Sequence, residues 1–226
     1  MHKTQSGWIE EYKKLGALWV HDGNIKRPHV RLHKGGHSDV FFNSEGVMEY
    51  SLLLEMACFD LVQKLTEAVS PPRNWTDEEL TIRVIGPAMG AITLADGIAR
   101  NLSRQHTIRC KRGFTVKDDD GKQMFDRTKI EPDEYIIPVE DVFTTGDTVS
   151  QTITLCEKQG AWLAQYILVL VNRSGLQEIN GRRIISLVDL PSNNYEPDKC
   201  PLCAEGSEAL YPAKAPENWA RLTAVY

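Results

Sequence analysis

No apolar run in this chain approaches the roughly 18 residues that a membrane-spanning helix needs. Met1 to Glu10 contain no apolar stretch of the secretory kind, so no export signal is expected and the simplest location is the cytoplasm. Dense Lys/Arg clusters are missing too. The 26 cations against 31 anions leave a net charge of −5, which argues against a nucleic-acid partner. No G-x-x-x-x-G-K-[ST] run occurs, which excludes a nucleoside-triphosphate P-loop. Cysteines number only 5. Cys58, Cys110 and Cys156 lie in apolar segments and read as inert core residues. That leaves Cys200-Pro201-Leu202-Cys203 as a lone C-x-x-C, and one such pair cannot complete a tetrahedral zinc site. It is read as two reduced structural cysteines. Half of a site shared across a dimer, a redox pair and a loop staple are the other readings.

What remains is ordinary globular material: 226 residues, 42% hydrophobic and 25% charged, enough for one α/β domain with a full core. Residues 5–15 have the spacing of a short amphipathic helix, with Trp8, Ile9, Tyr12 and Leu15 apolar. Ala17–His21 and His29–His33 read as two strands joined by a turn at Asp22-Gly23-Asn24. A glycine-containing loop, Lys34–Asp39, runs into Val40–Asn43. Adjacent Phe41 and Phe42 on a strand face opposite ways, so one is core while the other lines a cleft. Residues 51–69 carry a helical stripe of Leu54, Cys58, Leu61 and Leu65, stopped by Ser70-Pro71-Pro72, and Arg73–Glu79 is a polar loop.

The chain is organised around residues 139–148, Val-Glu-Asp-Val-Phe-Thr-Thr-Gly-Asp-Thr. The apolar run Tyr135–Val139 leads in as a buried strand. A helical pattern follows, with Val149, Ile153 and Cys156 on one stripe. The first amides of a helix lack intrahelical partners and carry the positive end of its dipole. A phosphate fits there, with Thr144, Thr145 and Thr148 as hydroxyl donors and Gly146 letting the backbone approach. Glu140 and Asp141 would repel a bare phosphate. They make sense beside a ligand that adds hydroxyls or a divalent cation, as a ribose 5-phosphate with magnesium does.

A second strand–turn–helix unit lies at Ile82–Gly86, Pro87–Gly90 and the stripe Ile92, Ala95, Ile98, Ala99 and Leu102. Two anion mouths suit a substrate with phosphate at one end and pyrophosphate at the other. Thr107–Lys117 reads as a strand broken at Gly113. With Asp118–Lys122 as tip and Met124–Ile130 as return arm, it makes a β-hairpin. Its cations Lys111, Arg112, Lys117, Lys122 and Arg127 are the candidates for a phosphate clamp. Trp162–Val171 and Arg183–Leu190 are further strands, and Glu217–Leu222 a last helix. Strands alternating with helices argue a mostly parallel sheet covered on both faces. Gly86–Gly90, Glu140–Thr148 and Arg173 all follow strand ends, so they converge at one sheet edge.

Residues 139–148 resemble the phosphoribosyl-pyrophosphate (PRPP) motif of type I phosphoribosyltransferases: apolar strand, two acids, two variable residues, then T-T-G-x-T. The likeness extends over roughly residues 10–220. Gly36–Asn43 looks like the S-G-R-x-S…F-x-N region of bacterial orotate phosphoribosyltransferases. Gly86–Ile92 is similar to their pyrophosphate loop, Phe114–Arg127 to their mobile cation-bearing loop, and Asn172–Gly175 to their late D-R-x-G segment. The Cys-Pro-Leu-Cys tail is similar to that of a subset of bacterial members. The resemblance implies one domain over residues 1–226 with the type I phosphoribosyltransferase fold: residues 80–175 as PRPP-binding core, and residues 1–45 with C-terminal chain as a small hood over the base.

The resemblance also implies roles. Glu140 and Asp141 bind the ribose hydroxyls, directly or through Mg2+, and Asp141 joins Lys117 as a catalytic residue. Thr144, Thr145, Gly146, Asp147 and Thr148 cradle the 5-phosphate. Ala88, Met89 and Gly90 present backbone to the pyrophosphate. Lys117 closes over it. Phe41 or Phe42 stacks on the base and Arg173 pairs with its carboxylate. A Mg2+-dependent orotate phosphoribosyltransferase, acting on PRPP and orotate as a homodimer, is the implied activity. A PRPP-binding regulatory protein and a phosphoribosyltransferase for another base are the alternatives. Gly36, where many members carry Arg or Lys, Met89 and Gly90 in place of a loop lysine, and His33 depart from the family pattern. So does the aspartate-rich hairpin tip, and these losses thin the positive charge around the leaving group.

Overall fold

The computed structural model describes residues 2–32, 35–69, 81–106, 108–212 and 216–226. The expectations on His33, Lys34, Ser70–Pro72, Arg73–Glu79 and Thr107 lie outside the described residues. Helix α1 (Gln5–Lys14) opens the chain, capped by Thr4, whose Oγ1 accepts the Gly7 N–H at 3.2 Å. Its inner face buries Trp8 and Tyr12. Next come β1 (Leu18–Val20), β2 (His29–Arg31), β3 (His37–Ser38), β4 (Val40–Phe42), α2 (Glu45–Met48) and α3 (Ser51–Ala68). The two strands expected to flank Asp22-Gly23-Asn24 do not pair. Leu18–Val20 pairs antiparallel with Val40–Phe42, and His29–Arg31 with His37–Ser38. They meet through side chains instead, Trp19 and Val30 sharing one buried cluster.

The central layer is built by β5 (Thr81–Pro87), α4 (Ala91–His106), β6 (Arg109–Lys117), β7 (Gln123–Met124), β8 (Tyr135–Phe143), α5 (Asp147–Lys158), β9 (Trp162–Leu163), β10 (Tyr166–Asn172), β11 (Glu178–Ile179) and β12 (Arg182–Asp189). Its order is β11-β12-β10-β8-β5-β6-β7, with β9 added to β8. The five inner strands β12, β10, β8, β5 and β6 run parallel, and the short edge strands β11 and β7 are antiparallel. Both faces are covered, which is why these strands read as continuous apolar runs. Ile82, Val84, Ile137, Val139, Leu168 and Leu170 pack with α1, α3 and α4. Their neighbours face the other way: Ile167 and Val169 meet Val149 and Ile153 of α5, while Ile85 and Ile136 meet its Cys156.

Three strand readings change. Gly113 does not break β6, but pairs with Ile85 in an unbroken ladder. A glycine is needed there because an added Cβ would meet Thr128 Cγ2 at 2.7 Å. Trp162–Val171 is two strands, because Trp162 and Leu163 pair with the start of β8 before the chain enters β10. Met124–Ile130 forms strand only at Gln123–Met124.

The chain ends with β13 (Asn194–Tyr195), α6 (Pro201–Ala204), β14 (Ala209–Leu210) and α7 (Pro216–Thr223). Strands β13 and β14 return to the beginning of the chain, making a four-stranded sheet β13-β3-β2-β14. Among the described residues no helix is long and apolar enough to cross a membrane.

Candidate active site

Strands β10, β8, β5 and β6 lie side by side and parallel, so the chain leaves all four at the same sheet edge. The loops after Pro87 and Phe143, the Asn172–Arg173 bend and the base of the 117–123 hairpin therefore meet there. Both expected anion turns depend on glycine for closeness. An added Cβ on Gly86 would sit 2.6 Å from Ala91 Cβ and 2.9 Å from Val139 Cγ2. On Gly90 it would collide with the Asp141 carboxylate, whose Cγ would lie at 2.7 Å. The Gly86–Gly90 turn is thus pressed against the acid pair. Its Ala88 N–H donates to Thr115 O at 2.7 Å, and the Ala88–Met89 peptide is cis. Met89 is 83% exposed.

Glu140 is buried, and its Oε2 has no hydrogen-bond partner. Burial pushes its carboxyl up to about 8; Asp141 and Asp147 add to the rise and Lys117 opposes it. Asp141 is raised as well, by burial first, against the pull of backbone amides. A buried carboxylate oxygen left unpaired is costly unless a donor arrives. Hydroxyls or a divalent cation fit that need, so the pair suits Mg2+ beside a diol.

After Phe143 the chain turns through exposed Thr144 and Thr145 to Gly146, which precedes α5 at φ +77°. An added Cβ at Gly146 would strike Ile179 and lie 2.6 Å from Phe143 Cζ, so both conformation and space demand glycine. The Asp147 N–H donates to Thr145 Oγ1 at 3.4 Å. Two threonine hydroxyls and the first amides of a 12-residue helix offer donors suited to an anion beside the acids.

Lys117 ends β6, exposed, and its charge reaches Glu140. The hairpin beyond it is closed by Asp118, whose Oδ1 accepts the N–H groups of Asp120 and Lys122 at 3.0 and 2.8 Å. Gln123 ties it to β6 by accepting Thr115 Oγ1–H at 2.6 Å and to α5 by giving its backbone N–H to Gln151 Oε1 at 3.0 Å. Two of the five expected clamp cations are paired away from the site. Lys111 donates to Glu134 at 2.6 Å, joining the buried Arg83–Glu134 pair from its exposed side, and Arg112 meets Asp96 at 2.9 Å. Lys117, Lys122 and Arg127 remain, Arg127 being exposed with its chain neighbour Asp126 at 3.6 Å.

On the base side the aromatic pair splits. Phe42 is no base platform: it is buried edge-on against Tyr12, centroids 5.3 Å apart, because its face of β4 points into the main core. Phe41 faces the cluster of Trp19, Val30, Leu210 and Leu222. With Asn43, Pro212 and Trp219 it lines a cavity of about 160 Å³, and its ring lies 5.8 Å from that of Trp219. Arg173 is buried. Its guanidinium donates to Val40 O at 2.7 Å, Ser38 Oγ at 3.0 Å and Ser192 Oγ at 3.2 Å. Burial lowers it to about 10, so it stays charged at neutral pH.

Over 210 residues the chain is 34% identical to the orotate phosphoribosyltransferase of Caldicellulosiruptor bescii, covering 92% of this chain and 97% of that one. The chain belongs to the orotate phosphoribosyltransferase family. It is also 32% identical over 206 residues to the orotate phosphoribosyltransferase of Carboxydothermus hydrogenoformans, covering 88% and 95% of the two. Its fold matches the crystal structure of orotate phosphoribosyltransferase from Aeropyrum pernix with a TM-score of 0.57 at 23% identity, over 80% of this chain and 92% of that one. No family model matches the chain.

Within this family fold, sequence reasoning overlooked the residues that hold Arg173. Ser38 and Ser192 are distant in sequence, and a backbone carbonyl such as that of Val40 leaves no mark in composition. The repulsion of Asp141 by Glu45, from the start of α2, was equally invisible.

Proposed function

We propose that this chain transfers the 5-phosphoribosyl group of PRPP to orotate, forming orotidine 5′-monophosphate and pyrophosphate. One observation carries the reading: an acid pair with an unpaired buried oxygen, set between two glycine-dependent turns at one sheet edge, in a chain of this family. Thr144, Thr145, Gly146, Asp147 and Thr148 hold the 5-phosphate through hydroxyls and amides. Glu140 and Asp141 take the ribose hydroxyls and hold Mg2+, directly or through them. Ala88, Met89 and Gly90 offer backbone to the pyrophosphate. Phe41 supplies the apolar wall for the base, and Arg173 pairs with its carboxylate through guanidinium protons not given to Ser38, Val40 and Ser192.

The base nitrogen forms its bond to ribose C1 as the bond from C1 to the pyrophosphate oxygen breaks. The chain supplies position and charge rather than a covalent intermediate. Lys117 and, when bound, Mg2+ neutralise the negative charge that grows on the leaving pyrophosphate. A homodimer in the cytoplasm, with Lys117 reaching toward the neighbouring subunit, belongs to the same reading.

The test offers the protein PRPP and Mg2+ with orotate, uracil, adenine or hypoxanthine, and measures pyrophosphate. Release with orotate alone is expected. Release with a purine alone would reassign the base. Tight PRPP binding with no release from any base would make the chain a PRPP-binding regulator.

A further inference from the structure

The C-x-x-C that looked incomplete in the sequence has two partners in space. Its turn lies between β13 and β14, which add to the outer edges of β3 and β2: Tyr195 pairs with His37, and Ala209 with His29. The C-terminal segment thus clasps the β2–β3 ribbon from both sides, and the turn between folds over it. Both cysteines are free thiols. His29, His37 and Cys200 are buried and Cys203 is partly exposed. Their four ligand atoms lie within 4.8 Å of one another, the one such group of three or more His, Cys, Asp or Glu among the described residues.

The contacts exceed what hydrogen bonding can satisfy. Ser207 Oγ donates to Arg27 O at 2.7 Å, so at 2.9 Å it accepts the proton of His29 Nδ1. That fixes the tautomer and leaves His29 Nε2 with a lone pair and no hydrogen. Three groups crowd this single lone pair: His37 Nδ1 at 3.1 Å, Cys200 Sγ at 3.5 Å and Cys203 Sγ at 3.5 Å. Cys203 Sγ also lies 3.2 Å from His37 Nδ1. One acceptor cannot serve three donors. A tetrahedral zinc ion, bonded at about 2.0–2.1 Å to nitrogen and about 2.3 Å to sulfur, sets ligand–ligand edges of about 3.3–3.8 Å. Four of the six separations, at 3.1–3.5 Å, are close to those edges, and all six lie within 4.8 Å. The hydrogen bond from His29 to Ser207 is the outer support that metal-binding histidines characteristically have.

We propose that His29, His37, Cys200 and Cys203 form a closed, structural zinc site that fastens the C-terminal segment to the β2–β3 ribbon. Two nitrogens and two sulfurs in tetrahedral array select zinc over magnesium or calcium, and four protein ligands leave no open position for chemistry. The location explains the need. The strands joined here are 2 or 3 residues long. Their buried apolar support is Trp19, Val30, Leu210 and Leu222, too little to hold four strands unaided. His37 also precedes Ser38, which carries Arg173, so the ion would steady the base side of the cleft. That last consequence rests on the proposed reaction. The metal site does not.

The experiment uses full-length, tag-free protein purified without chelator. Elemental analysis is expected to find about one zinc per chain. Replacement by cobalt(II) should give the intense visible bands of a tetrahedral site with thiolate ligands. Cys203→Ser and His37→Ala should each lose the metal and the cobalt spectrum. If a variant fails to fold, zinc titration of demetallated wild type against a competing chelator decides the matter. A wild-type chain that neither retains zinc nor takes it up in that titration would overturn the site. So would a Cys200–Cys203 disulfide in the reduced-purified protein, or a cobalt spectrum without thiolate character. Zinc retention without orotate turnover would leave the site standing and the proposed reaction fallen.

Discussion

The proposed reaction uses Glu140 as a carboxylate, in a place that favours the acid. Its folded value of about 8 stands above the roughly 4.3 of an unfolded glutamate. The sign follows: the protonated form is the one the fold prefers, so the contribution of Glu140 to ligand-free stability is fully present below about pH 4 and is lost as pH rises through about 8. Glu140→Gln should flatten that profile and leave the variant more heat-stable than wild type at pH 9, read as Tm against pH. The same change should weaken PRPP binding by roughly 10–100-fold, the worth of hydrogen bonds to a charged acceptor. An unchanged Tm profile would mean that Glu140 is already ionised and paired. Lys117 makes the opposite kind of demand, being exposed and useful only when charge moves. Lys117→Ala should cut turnover about 100–1000-fold while PRPP Kd changes far less. Equal losses in both would make Lys117 a ground-state anchor.

At the scale of elements, the hairpin shows how an apparently unfavourable sequence works. Three aspartates looked hostile to a pyrophosphate, yet Asp118 spends its carboxylate on the amides of Asp120 and Lys122. Asp118→Ala should therefore loosen the tip alone. Amide hydrogen exchange of residues 118–122 is expected to accelerate while global Tm stays within a few degrees; a large fall in Tm would show the tip to be part of the core. The long elements were legible because their burial is periodic. The α5 stripe of Val149, Ile153 and Cys156 is buried, as are the apolar runs of β5, β8 and β10. Strands of 2 or 3 residues at the N-terminal ribbon carry no such period, so Leu18–Val20 and His29–Arg31 were placed together when they belong to different sheets.

Across the whole molecule, Arg173 is the rivet between the central sheet and the strands of the N-terminal ribbon. It follows β10, and its guanidinium reaches β3, β4 and the chain after β12 at once. A lysine keeps the charge but cannot span that fan of acceptors. Arg173→Lys should lower stability by about 2–3 kcal/mol, measured by denaturant unfolding, and raise the KM for orotate more than that for PRPP. Lost stability with an unchanged orotate KM would confine Arg173 to architecture.

The sequence by itself determined the family, the parallel sheet and the two glycine turns, because each of those signals lies within some 10 to 20 consecutive residues: a strand, a glycine turn and the first stripe of a helix. Only the tertiary structure decided that Phe42 faces the core, that Lys111 and Arg112 are committed to Glu134 and Asp96, and that Arg173 joins Ser38. It alone brought His29 and His37 to Cys200 and Cys203. Those facts depend on where strands far apart in the chain come to pair, and pairing is set by how all the apolar faces are buried together.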